Sequence, residues 1–205
     1  MPAEQGLLPF TPVKNFGLFS NHWLTNRLSL EPEWAELRDI ALESLEEIAE
    51  LWKTQKKRVA KYGDEQGLEE AFIQPVLRAL GWKLKYQTFL QGREPDYALF
   101  LDESGLQAAI DAGRLAPEFW NHPTVLDDAK AWHVALDRPS RVGSRREYPP
   151  EQIEWYLDRS RLDFAMLTNG QSQRLIPREH GPQQRAAWCR EGDTCWRAIN
   201  GQAYK

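Results

Sequence analysis

Thr124-Val125-Leu126-Asp127-Asp128-Ala129-Lys130-Ala131-Trp132 carries charge at the centre of an otherwise apolar strand. Val125, Leu126, Ala129 and Ala131 suit burial, and Asp127, Asp128 and Lys130 interrupt them. A buried carboxylate is costly unless it is paired or faces a cation. Asp128 and Lys130 stand two apart, so in a strand both point to one face, while Asp127 points to the other. A second anomaly lies upstream, where Asp96 follows Pro95 and opens the apolar run Tyr97 to Leu101. On neighbouring strands, Asp96 and Asp128 make a hard oxygen site suited to Mg²⁺, with the Ala129 carbonyl as a further ligand.

The flanking segments say what kind of sheet holds this strand. Trp82, Leu84 and Tyr86 alternate with Lys83, Lys85 and Gln87, as in a half-buried strand, and Gln91 to Pro95 reads as a turn. Leu68, Phe72, Ile73, Val76, Leu77 and Leu80 mark the apolar side of a helix that stops at Gly81 and kinks at Pro75. Upstream, Trp34, Leu37, Ala41, Leu45, Ile48 and Trp52 recur every three or four residues, giving one long amphipathic helix from Glu31 to near Tyr62-Gly63. Its stripe suits a partner helix or the main body. Met1 to about Leu30 reads as an extended lead-in.

Ser104 to Pro123 is an inserted helix and loop, with Leu106, Ala109, Ile110 and Leu115 as its apolar side. Arg138 to Pro150 is a polar, basic loop. Pro149 opens a helix carrying Ile153, Trp155, Tyr156 and Leu157. Phe164 to Thr168 is a fourth strand, Asn169-Gly170 a hairpin turn and Arg174 to Ile176 a fifth strand. Helix, three strands, helix, two strands predicts an α/β fold: one central mixed sheet flanked by helices, with a long-helix arm at the N-terminus. The expected division is residues 1–63 for the extension and long helix, 64–178 for the core and 179–205 for a C-terminal tail.

A chain of 205 residues supports one well-buried core. No run of eighteen apolar residues is present, which argues against a membrane span. Met1 to Phe19 lacks the basic start and apolar run of a secretory signal, and two cysteines, Cys189 and Cys195, fit a reducing cytoplasm. A net charge of −4 offers no whole-molecule attraction to nucleic acid, so any such contact rests on local patches. Two are legible: Lys53, Lys56, Lys57, Arg58 and Lys61, and then Arg138, Arg141, Arg145 and Arg146. Most of the nine tryptophans are expected to be core anchors. His122, His133 and His180 lack metal-ligand spacing, His180 with the two cysteines fits no zinc pattern, and no glycine-rich phosphate loop is present.

Two carboxylates, a cation between them and a neighbouring lysine form the set that phosphodiester hydrolysis needs. The ion polarises a phosphoryl oxygen and acidifies a bound water, and the lysine orients that water and stabilises growing negative charge. The plainer alternative is a buried Asp-Lys ion pair, or an edge strand with a wet charged face.

Five short motifs, in order, resemble the nuclease domains of type I and fused type II restriction-modification enzymes. They are Glu69-Glu70-Ala71-Phe72-Ile73-Gln74-Pro75-Val76-Leu77-Arg78-Ala79-Leu80-Gly81-Trp82, Pro95-Asp96-Tyr97-Ala98-Leu99-Phe100, and Asp128-Ala129-Lys130-Ala131-Trp132 with Leu136-Asp137 after it. Gln152-Ile153-Glu154-Trp155-Tyr156 and Leu167-Thr168-Asn169-Gly170 complete the series. The resemblance spans about Glu65 to Leu175. It implies a PD-(D/E)xK, restriction-endonuclease-like fold and cleavage of DNA with Mg²⁺, for which Mn²⁺ can substitute.

In that frame Asp96 and Asp128 hold metal and Lys130 positions the nucleophile. Glu70, chosen over Glu69 on the match to Glu-Ala-Phe-Ile, reaches the metal from the helix. Gln152 and Tyr156 match a Gln-x-x-x-Tyr motif, and Arg138, Arg141, Arg145 and Arg146 are expected on the DNA backbone. Methyltransferase, helicase or target-recognition modules are the implied partners, in one parent protein or complex of a phage-defence system. Cutting both strands would call for a dimer on DNA. Two departures stand out: Asp128 occupies a position where glutamate is more usual, and the insertion between Asp96 and Asp128 is long. The competing expectation is a DNA-binding or assembly module that keeps the fold and no longer cleaves.

Overall fold

The computed structural model describes residues 21–59, 61, 65–137, 139–142 and 145–178. Its strands, in chain order, are β1 (Lys83–Tyr86), β2 (Tyr97–Phe100), β3 (Val125–Ala129), β4 (Ser140–Val142), β5 (Arg145–Glu147), β6 (Phe164–Thr168) and β7 (Gln173–Pro177). Five of them form one sheet in the order β1-β2-β3-β6-β7. β1–β2, β2–β3 and β6–β7 are antiparallel, while β3 and β6 run parallel. A parallel pair needs a crossover, and here helix α6 (Pro149–Ser160) supplies it. The mixed sheet expected from the order of the segments is therefore present.

Period-two alternation sends the strands' side chains into two layers. Tyr97, Leu99, Val125, Ala129 and Met166 face one side, and Ala98, Phe100, Leu126, Ala165 and Leu167 the other. Helix α5 (Glu103–Ala112), a 3₁₀ turn (Pro117–Asn121) and α6 cover the second side. There Phe119 lies edge-on to Phe100 and to Trp120. Burying each such side chain contributes roughly 1.5–3 kcal/mol.

The first side is covered by the C-terminal half of α2 (Pro32–Val59) and by a continuous helix. That helix comprises α3 (Glu65–Leu68), a π-helical turn (Glu69–Ile73) and α4 (Gln74–Ala79). Trp52 of α2 stacks on Trp132, with centroids 6.0 Å apart, and tilts against Phe72. The π turn is how the helix accommodates Pro75, which has no N–H to return to Ala71: Gln74 N donates instead to Glu69 O, one residue further back. Gly81, at φ +89°, closes it.

Several expectations change in detail. Residues before Leu30 are not all extended, since Asn21–Asn26 (α1) and Leu28–Leu30 form helical turns. Leu80, Ile110 and Leu115, read as apolar-side residues, are exposed at the ends of their segments. The basic stretch after Arg138 contains the β4–β5 hairpin, pairing Arg141 with Arg146 and Val142 with Arg145. Ser140-Arg141-Val142 and Arg145-Arg146-Glu147 are too short and too polar to show an apolar alternation. The stripe on α2 packs only in its second half. Among the described residues no helix is long and apolar enough to cross a membrane. Arg138, Tyr62-Gly63, the lead-in up to residue 20 and the tail with His180, Cys189 and Cys195 lie outside the described residues.

Candidate metal and catalytic centre

The β2–β3 ladder pairs Tyr97 with Asp127 and Ala98 with Leu126. Carried one step further, that register sets Asp96 opposite Asp128 on one face, where antiparallel neighbours stand closest. Asp96 Oδ2 accepts a hydrogen bond from Ala129 N at 2.7 Å. Lys130, just past β3, donates its backbone N–H to Thr168 O at 2.8 Å and forms an ion pair with Asp128 through Nζ. Both side chains of that pair are almost fully enclosed. The structure thus gathers Asp96, Asp128 and Lys130 at one end of the central strands.

Glu70 is not with them. It is exposed, accepting a hydrogen bond from Gln66 Nε2 at 2.9 Å. The helix brings in Glu65 and Glu69, one turn apart, whose carboxylate oxygens lie with one of Asp96 within 4.8 Å of one another. Glu69 is buried, and its Oε2 accepts from the Tyr97 hydroxyl at 2.6 Å. The carboxylates that converge, and that could hold a metal ion, are thus Glu65, Glu69 and Asp96, while Asp128 is engaged by Lys130 and Glu70 lies apart. A signal for this was available: Glu69 stands at helical spacing from the apolar Phe72, Ile73 and Val76 and from Glu65, whereas Glu70 shares its side with Gln66 and Gln74.

Four carboxylates and one ammonium at this place leave an excess of negative charge, and proton affinities respond. Burial, then the charges of Asp128 and Glu69, push Asp96 up to about 9. Burial likewise raises Glu65 to about 7, with Lys130 opposing and Asp128 and Glu69 adding to the rise. Glu69 is raised chiefly by burial, against the hydrogen bond from Tyr97. Burial works against the charge on Lys130, yet Asp128 and Glu65 outweigh it and hold the ammonium above its usual range. Asp127, fully enclosed on the opposite face without a side-chain partner, is pushed up to about 7 by burial and by Asp128.

Gln152 and Tyr156, one turn apart on α6, meet each other: Gln152 Nε2 donates to the Tyr156 hydroxyl at 2.8 Å. Tyr156 is part of the core, and burial followed by the nearby Asp128 charge raises its hydroxyl above the usual range. Gln152 Oε1 is enclosed without a hydrogen-bond partner. Leu167 to Gly170 plays a positioning part. Asn169 Nδ2 donates to Val134 O, and Asn169 Oδ1 accepts from Gln171 N and Ser172 N. Gly170, at φ +78°, lies so close that a Cβ would sit 3.1 Å from the Trp132 ring. This packing pins the loop that follows Lys130. Arg141, Arg145 and Arg146 belong to the β4–β5 hairpin, and Lys53, Lys56, Lys57, Arg58 and Lys61 are exposed at the end of α2 and just beyond it.

No family model, curated protein or solved structure matches the chain.

Proposed function

We propose that this chain is a metal-dependent DNA-cleaving domain with a restriction-endonuclease-like fold of the PD-(D/E)xK type, belonging to a restriction-modification or related phage-defence system. The observation that carries the proposal is the set of Glu65, Glu69 and Asp96 oxygens within 4.8 Å, beside the enclosed Asp128–Lys130 pair. Hard oxygen donors with excess negative charge fit Mg²⁺, with Mn²⁺ as substitute, and their raised proton affinities mark a place where positive charge is wanted. Glu65, Glu69 and Asp96 would hold the ion, which when bound polarises a phosphoryl oxygen and acidifies a water. Lys130, kept charged by Asp128, would orient the attacking water and stabilise negative charge on the phosphate. Gln152 and Tyr156 line the α6 side of the centre, where the free Gln152 oxygen can orient a donor. DNA is the proposed partner, with methyltransferase, helicase or target-recognition modules completing the system.

The Asp128–Lys130 pair also favours a second reading, a binding or assembly module in which lysine has taken the cation's place. Supercoiled-plasmid cleavage with Mg²⁺ or Mn²⁺, run beside calorimetric titration of Mg²⁺, separates the two. Asp96→Asn removes a group whose ionised form burial and its carboxylate neighbours already disfavour, so it is expected to stay folded and to lose both metal binding and nicking. Lys130→Ala is expected to cut nicking by about a hundredfold or more. Equal nicking by wild type and variants would sink this assignment of the centre. A folded wild type that binds no metal would establish the second reading.

A further inference from the structure

Between α6 and the turn that precedes β2 lies an arrangement that the proposed catalysis does not use. Trp155, on α6 next to Tyr156 and edge-on to its ring at 5.7 Å, carries two guanidinium groups. Arg93 Cζ lies 4.4 Å from its ring centroid and Arg159 Cζ 4.2 Å. The two arginines come from separate places. Arg93 closes the tight turn after Leu90, whose central residues Gln91 and Gly92 both take positive φ, and it exchanges backbone hydrogen bonds with Leu90. Arg159 lies one helical turn after Trp155.

Both arginines are exposed, and neither forms an ion pair among the described residues. The nearest chain neighbour of opposite charge to Arg93, Glu94, is bound to Arg114. Arg159 also lines, with Arg161, a cavity bounded by Phe89, Gln91, Trp120 and Asn121. Two like charges on one ring repel each other, and attraction to the ring at an exposed site offsets that only in part. An anion between them would turn the repulsion into attraction. Guanidinium planes held by stacking keep their N–H forks oriented, which is the geometry that phosphate oxygens accept.

We infer that Arg93, Arg159 and the Trp155 indole they share form a docking point for a DNA backbone phosphate. The inference rests on the nuclease reading for its ligand. Its position supports it: Arg93 precedes Asp96 by three residues in the chain, and Trp155 abuts Tyr156 on the helix that walls the centre. In a molecule of net charge −4 such a local pair of cations is what DNA contact requires. A phosphate held there sets the register of the duplex and carries no base information.

The test is binding of a short labelled DNA duplex by the full chain, followed by anisotropy in EDTA between about 50 and 200 mM salt, where no cutting occurs. The Arg93→Gln/Arg159→Gln protein should bind about tenfold more weakly at low salt. Its slope of log affinity against log salt should be shallower by about 0.9, the loss of one phosphate contact. Arg93→Lys/Arg159→Lys should keep most of the slope, and thermal melts should show all three proteins equally folded. An unchanged slope in the glutamine protein, equal loss in the lysine protein, or a wild type that binds no DNA would each overturn the inference. Because metal is absent, the outcomes stay distinct: DNA binding through these arginines without plasmid cleavage sinks only the nuclease reading. Cleavage with an unchanged slope sinks only this one.

Discussion

Two regions of this protein reverse the usual rule of what faces water. At the end of the sheet, Glu69, Asp127, Asp128 and Lys130 are only 3, 0, 1 and 7% exposed. Along the first half of α2, Trp34, Leu37 and Ile40 are 46, 55 and 59% exposed. The two reversals have different costs. Most of these buried groups have partners, Lys130 for Asp128, the Tyr97 hydroxyl for Glu69 and Ala129 N for the nearby Asp96, while the Asp127 carboxyl oxygens are enclosed without a hydrogen-bond partner. Losing one partner leaves the other charge stranded. An exposed apolar side chain strands nothing; it forgoes about 25 cal/mol for each Å² that would otherwise leave water. Sensitivity to substitution and to pH should therefore be concentrated at the sheet end.

The sharpest attempt to break this contrast is Lys130→Ala. It leaves Asp128 enclosed without its cation, and a loss of roughly 3–5 kcal/mol is expected from chemical unfolding. A loss under about 1 kcal/mol would mean that the pair is not buried in solution.

Cation-free melts against pH come next. Glu65 at about 7 and Asp96 at about 9 lie above their unfolded values near 4. Each binds its proton more tightly folded than unfolded, so stability falls as pH climbs from about 4 through 7 and 9. The contribution of Lys130, held above its usual range, persists across that window and does not oppose the trend. The melting temperature should therefore decline steadily from about pH 5 towards pH 9, and Mg²⁺ should flatten the decline by replacing protons. A decline that Mg²⁺ leaves untouched would count against metal at this cluster.

Asp127→Asn should raise stability by about 1 kcal/mol at pH 8–9 and by little at pH 5, because it removes an enclosed carboxylate that only the higher pH ionises. Equal effects at both pH values would show that its charge is not what costs stability. Smallest of all, Trp34→Ala or Leu37→Ala should change stability by no more than about 0.5 kcal/mol. A drop above about 2 kcal/mol would show that the α2 stripe is covered in solution, and the contrast between the regions would fail.

Much of the sheet was legible because alternation along a strand is local. Residues two apart share a face whatever the rest of the chain does, so Asp128 and Lys130 could be paired from their spacing and Asp127 assigned to the other side. The order of segments likewise implied a mixed sheet covered by helices, although not which pair of strands runs parallel. What remained hidden depended on placement between elements. Glu69 and Glu70 are equally helical, and although the spacing from Phe72 and Ile73 favours Glu69, whether it meets Asp96 turns on the rotation of the helix about its axis. That rotation is set by packing of Leu68, Phe72 and Ile73 on the sheet and by the π turn ahead of Pro75. The pairing of Arg93 with Arg159 over Trp155 joins residues more than sixty positions apart, which no local spacing can reveal. Nor could the apolar period of α2 tell which half would find a surface.

The sequence by itself determined the five strands of the main sheet, their order along the chain and the face on which Asp127, Asp128 and Lys130 lie, because those follow from a backbone period of two. Only the tertiary structure decided which helical carboxylates complete the cluster and which arginines share a ring, because side chains from separate elements meet through three-dimensional packing.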